Sequence, residues 1–143
     1  MVLSKKKIYI ICSVRGLKDE EKSEIDAYVA GLENQGHDVR LPYRDTNQND
    51  EFGMRIVEEH EDDIIWADEI HVWWNSASTG SHWDMGGARM AQKFMPEKNI
   101  VLANAHKLEV APGKTYGNVL LAVHYGLTLK NTHKDLERAN KKK

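Results

Sequence analysis

The sequence predicts an α/β protein, a three-layer α/β/α sandwich on a mostly parallel sheet of four or five strands, and three observations point there. Short apolar runs alternate with segments of helical period along most of the chain. The first run, Ile8 to Cys12, is continuously apolar rather than alternating, as a strand covered on both faces reads. With 143 residues, 41% hydrophobic and 29% charged, the chain suits one globular domain over 1–143 and is too apolar for disorder.

The elements follow in order. Ile8 to Cys12 is the first strand. From about Asp19 to Gln35, Ile25, Tyr28, Val29 and Leu32 recur at helical spacing, acids crowd the first turn, and Gly36 supplies a left-handed stop, so a helix is predicted. Asp38 to Pro42 gives a short strand through Val39 and Leu41, closing a strand, helix, strand unit with a right-handed crossover. Residues Arg44 to Asp50 read as a polar turn. Phe52 to Trp66 returns to helical spacing through Ile56, Val57, His60, Ile64 and Ile65. Its acids Glu58, Glu59, Glu61, Asp62 and Asp63 occupy nearly consecutive positions and point around the helix, which predicts a solvated acidic face rather than a metal cluster. Ile70 to Trp74 is a third strand, Ser76 to Gly80 a loop, Trp83 to Phe94 a helix stopped near Pro96, and Ile100 to Leu102 a fourth strand. Beyond Pro112-Gly113, Val119, Leu120, Val123 and Leu127 predict a last helix. The core is expected over about 7–129, with a basic, polar tail over 130–143 that frays.

Charge and composition exclude several partners. A net charge of −2 leaves no global positive field for the phosphates of polymeric DNA or RNA. The lysines before Ile8 resemble the start of a signal peptide, but the apolar run meets Arg15 at once and is too short for one. No segment approaches the roughly 18 apolar residues of a membrane helix. A cytoplasmic protein without membrane contact is expected, and Cys12, the single cysteine, reads as a core thiol. The histidines at 60, 71, 82, 106, 124 and 133 show neither a ligand pair at i, i+4 nor an HExxH pattern, so neither a metal nor a cofactor is expected.

In a sheet of this kind ligands sit at the carboxyl ends of the strands. That rule selects Ser13-Val14-Arg15-Gly16 after the first strand, Pro42 to Arg44 after the second, and Asn75 to Gly80 after the third. The first holds a hydroxyl, a guanidinium and a glycine before a helix, a composition suited to an anion. The third runs Ser78-Thr79-Gly80-Ser81 toward Asp84. Asp84 reads equally as a functional carboxylate or as a helix-stabilising acid. A flavodoxin-type phosphate loop would place Ser, Thr and Gly where this chain has Arg15, Leu17 and Lys18, which argues against FMN. A receiver domain would need aspartate where the chain has Trp74-Asn75, which argues against phosphoacceptor signalling.

Ser78, Gly80, Asp84 and Gly86 resemble the core motif of the nucleoside 2-deoxyribosyltransferase family, with Asp84 where that family has Glu. Asp68, in Trp66-Ala67-Asp68-Glu69, is similar to an aspartate placed before the third strand. Ser13-Val14-Arg15-Gly16 is similar to the first loop of the branch that hydrolyses 2′-deoxynucleoside 5′-monophosphates. The resemblance covers roughly residues 7–125 and implies a flavodoxin-like, doubly wound fold. It implies cleavage of the N-glycosidic bond of 2′-deoxyribonucleosides or their 5′-monophosphates, the sugar passing to water or, in a transferase, to another base.

Such a resemblance implies Asp84 as nucleophile toward an oxocarbenium-like transition state. Asp68 becomes an acid for the departing base or a group orienting base and sugar. Ser13, Val14, Arg15, Gly16, Ser78, Gly80 and Ser81 would form the substrate cradle, and Tyr43, Trp74 and Trp83 either stack on the base or pack in the core. His82 either meets phosphate or base or is exposed. Members of the family assemble as homodimers or homotetramers, with a neighbour's segment completing the site. Asn118 is similar in position to a residue of that segment, with helix capping as its other reading. The Asp side chain withdraws the carboxylate by roughly 1 Å relative to Glu, so a nucleotide-binding sensor without turnover stands as the alternative from another class. A crevice used for protein association is the third.

Overall fold

The computed structural model describes residues 4–142; residues 1–3 and 143, the ends of the single predicted domain, lie outside the described residues. The elements run β1 (Lys7–Ile11), α1 (Asp19–Asn34), β2 (Asp38–Arg40), α2 (Pro42–Asp45), α3 (Met54–Trp66), β3 (Glu69–Val72), α4 (Thr79–Phe94), β4 (Asn99–Leu102), a 3-10 turn (Ala105–Lys107), α5 (Tyr116–His124) and α6 (His133–Lys141). The sheet has four strands in the order β2-β1-β3-β4, and every pairing is parallel. This is a three-layer α/β/α, flavodoxin-like fold.

Burial on both faces explains why β1 reads as an unbroken apolar run. Ile8, Ile10 and Cys12 pack with Ile25 and Val29 of α1 and with Val39 and Leu41. Tyr9 and Ile11 face the other layer, among Ile64, Met85, Ala88, Leu120 and Leu121. α1 carries Asp19, Glu20 and Glu21 in its first turn, where they complement the helix dipole. It ends in a Schellman motif: Gly36 has φ +94°, its N–H donates to Glu33, and the His37 N–H donates to Leu32. The chain leaves β1 for β2 on one side and returns past β1 to β3 on the other. The loops after β1 and β3 therefore part at a topological switch point on the carboxyl edge, the place where open sheets of this kind bind ligands.

Several expectations are corrected. The polar turn begins with one turn of helix, α2, with Pro42 at a position that needs no N–H and the Asp45 carboxylate accepting from the Leu41 N–H at 2.8 Å. α4 starts at Thr79, not Trp83: the Ser78 hydroxyl accepts from the Ser81 N–H at 3.2 Å, so Gly80 and Ser81 belong to a capped first turn. α5 starts at Tyr116, and Gly126, φ +71°, lies just beyond its end. The tail does not simply fray, because Thr132 and Asp135 form a reciprocal capping box that starts α6. Leu136 and Asn140 are buried, and the Asn140 amide donates to the Leu108 carbonyl while its oxygen accepts from the Tyr125 hydroxyl.

The acidic face of α3 is also only partly solvated. Glu58, Glu61 and Asp62 are exposed, but Asp63 is buried against Arg40, with 2.5 Å between Oδ1 and the guanidinium. That guanidinium lies 3.8 Å from the centroid of the Trp66 ring. Burial raises the Asp63 carboxyl, and Arg40 pulls against that rise without cancelling it.

Candidate functional site at the carboxyl edge

β1 and β3 are neighbours in register, Ile11 beside Val72, and the Trp73 N–H continues the ladder to the Ile11 carbonyl at 2.8 Å. The segments that follow, Ser13 to Gly16 and Trp74 to Ser81, therefore leave the sheet side by side. Gly16 turns the first of them with φ +68°, a conformation that favours glycine. Ser13 is buried and Val14 half-buried, while Arg15 is exposed and enters no ion pair among the described residues. The second segment enters α4 through the Ser78 cap. The N–H groups of Thr79 and Gly80 belong to the first turn of α4, where no earlier helical turn can satisfy them. A side chain at Gly80 would meet no atom within 4 Å, so packing does not demand a glycine there.

Asp84 lies one turn further along α4 and is turned inward, 9% exposed. Its Oδ2 is 3.2 Å from Nδ1 of His60 on α3 and accepts a long hydrogen bond, 3.5 Å, from the Tyr9 hydroxyl on β1. The Tyr9 and His60 rings are in tilted contact with centroids 5.9 Å apart. Burial, reinforced by the Asp84 charge, drives the Tyr9 phenol well above its usual range, so it stays a donor. The carboxylate is thus bracketed by residues of two other elements, and a fixed place is what a nucleophile or an electrostatic stabiliser requires.

The structure does not bring the other acid there. Asp68 is exposed at the amino edge of the sheet, where its carboxylate accepts from the Lys7 N–H at 2.9 Å. The strands are parallel, so Asp68 sits at the opposite end from the crevice, and the expectation of a second crevice carboxylate there is corrected. Ser81 is 1% exposed and its hydroxyl has no hydrogen-bond partner, so it faces the interior rather than a cradle. The Asn118 amide is consumed by its own chain: its oxygen accepts from the Ala111 N–H, and its nitrogen donates to the Ala111 and Gly113 carbonyls. Holding that loop is its role, in place of completing a site.

The aromatics separate. The Tyr43 hydroxyl donates to Asp26 at 2.5 Å, which turns the ring to the α1 side. Trp83 is 65% exposed. Trp74 packs at a tilt against His82, centroids 4.6 Å apart, and His82 meets Tyr116 edge-on at 5.4 Å. These three rings, with Met85, Gly86 and Arg89, line a cavity of about 270 Å³ between α4 and α5. His82 is half-buried, with Nδ1 2.7 Å from the Ser78 carbonyl. The Cys12 thiol is pushed up to about 12 by burial, which keeps it protonated and inert.

Two residues of the cluster, Tyr9 and His60, were not singled out from sequence. A signal existed for each: Tyr9 carries the one hydroxyl in the first strand, and His60 stands at a core position of the α3 period. Neither shows its partner without the fold, because 24 positions separate Asp84 from His60 and 75 separate it from Tyr9. No group of three His, Cys, Asp or Glu side chains among the described residues is placed to hold a metal ion. No helix among them is long and apolar enough to cross a membrane. Compared with family models, with curated proteins and with solved structures, the chain finds no match.

Proposed function

We propose that this chain cleaves the N-glycosidic bond of 2′-deoxyribonucleosides or their 5′-monophosphates, with Asp84 as nucleophile and water as the final acceptor. The observation that supports this reading is the Asp84 carboxylate near the start of α4, in contact with His60 of α3 and Tyr9 of β1. One carboxylate oxygen attacks the anomeric carbon as the bond to the base nitrogen breaks; the base leaves with that electron pair and takes a proton from solvent. Water then adds to the anomeric carbon, loses a proton, and releases the Asp84 carboxylate. Arg15, exposed and in no ion pair among the described residues, and the first turn of α4 are suited to a 5′-phosphate, which favours monophosphates over nucleosides.

The same reading includes assembly into a homodimer or homotetramer in the cytoplasm. Trp83, Met90 and Phe94 recur on one face of α4 and are 65%, 56% and 80% exposed, an apolar stripe that a second copy would cover.

The test is base release, followed by chromatography, from a panel of ribo- and deoxyribonucleosides and their 5′-monophosphates, with Asp84→Asn as control. Release by the parent chain that falls by about a thousandfold or more in Asp84→Asn supports the reading. Adding a second free base distinguishes a transferase, which would form the exchanged nucleoside, from a hydrolase. Nucleotide binding without release from any substrate would overturn catalysis and leave a sensor.

A further inference from the structure

We propose that His60 is the positioning residue of this site: its Nδ1 lies against Oδ2 of Asp84 and so leaves Oδ1 as the oxygen that meets the anomeric carbon. This rests on the glycosidase reading above and specifies how its nucleophile is aimed. Among the described residues, both polar contacts of the Asp84 carboxylate fall on the same oxygen, Oδ2, from His60 at 3.2 Å and from Tyr9 at 3.5 Å. A carboxylate only accepts, so the His60 nitrogen facing it carries the hydrogen. An oxygen that faces two polar groups is the more hindered of the pair; the other, away from both, is the more available nucleophile and has a defined line of approach.

The other end of the imidazole strengthens the assignment. His60 Nε2 is buried with no hydrogen-bond partner. A ring kept for packing alone would be better served by an apolar side chain of similar size, since a buried unpaired nitrogen is unfavourable. The polar contact that His60 makes is the one on Asp84. The tilted Tyr9 ring, 5.9 Å away between centroids, packs against the imidazole and restrains its plane.

The experiment compares His60→Leu, His60→Asn and His60→Gln with the parent chain and with Asp84→Asn, on the substrate the panel identifies, recording kcat, KM and thermal melting. His60→Leu fills the space without a donor. Its kcat is expected to fall about ten- to a hundredfold, the effect of a mis-aimed reacting group, with KM changed less than about threefold. The Asn amide nitrogen stands where Nδ1 stood and should restore most of kcat, whereas the Gln nitrogen reaches the place of Nε2 and should not. A His60→Leu chain with unchanged kcat, or Asn and Leu variants equally impaired while melting as the parent does, overturns the proposal. If His60→Leu fails to fold, the Asn-to-Gln comparison decides alone: Asn faster supports it, equal rates overturn it. An Asp84→Asn chain that releases base at the parent rate, or a parent chain that releases none, identifies failure of the glycosidase reading itself and removes this proposal with it.

Discussion

Glu69 Oε1 lies 2.9 Å from Nε2 of the buried His71, and that contact fixes the direction of a hydrogen-bond chain tying α1 to the sheet. The carboxylate can only accept, so Nε2 carries the ring hydrogen and Nδ1 accepts from the Tyr28 hydroxyl at 2.6 Å. On the far side, Lys6 donates to Glu69 Oε2 at 2.7 Å.

Stability should fall on acidification because of this chain. Burial lowers the His71 imidazole below its ordinary 6.5, outweighing the pull of Glu69. Below about that pH the unfolded chain takes up a proton that the folded chain resists, so stability declines as pH drops toward the folded value. Burial would raise the Glu69 carboxyl, but Lys6 and His71 hold it below its ordinary 4.5; its contribution is present above 4.5 and is lost as pH falls through the lower folded value. Both signs agree. Thermal melting followed from pH 7 to pH 4 should show a continuous decline, shallower between about pH 6.5 and 5 in His71→Asn; a flat profile in the parent chain contradicts the assignment.

Arg15 should decide phosphate preference without touching the fold, since it is exposed and pairs with no carboxylate among the described residues. Arg15→Gln is expected to raise KM for 5′-monophosphates about ten- to a hundredfold, the loss of a charge-assisted hydrogen bond, and to leave nucleosides unchanged. Steady-state kinetics on matched pairs of substrates measures it. An equal change for both members of a pair would place Arg15 outside the phosphate contact.

Leu136 should reveal whether the C-terminal helix belongs to the domain. It is 6% exposed and joins the larger apolar cluster. Leu136→Ala should cost about 2–5 kcal/mol in urea unfolding, as for a buried leucine elsewhere. A chain ended after Leu129 should be destabilised at least as much, whereas a dispensable tail would leave the midpoint where it was.

The elements legible in the sequence are those whose signal is local. Ile25, Val29 and Leu32 repeat at helical spacing whatever lies above them, and Gly36 ends the helix by its own backbone freedom. α6 escaped because a helix of nine residues that buries chiefly Leu136 and Asn140 has too little apolar period to register, although Thr132 and Asp135 spell its cap. Asp63 looked like its exposed neighbours until Arg40, 23 positions away, came to lie against it.

The sequence by itself determined the layer architecture, the parallel sheet and the position of Asp84 near the start of a helix at a strand's carboxyl end, because apolar period, caps and strand polarity are written in adjacent residues. The tertiary structure alone decided which side chains meet there. It sealed Ser81 inside and spent Asn118 on its own loop. It also brought Tyr9 and His60 onto one oxygen of Asp84. Those meetings join residues far apart in sequence, and only the packing of α3 and α4 against β1 sets the distances between them.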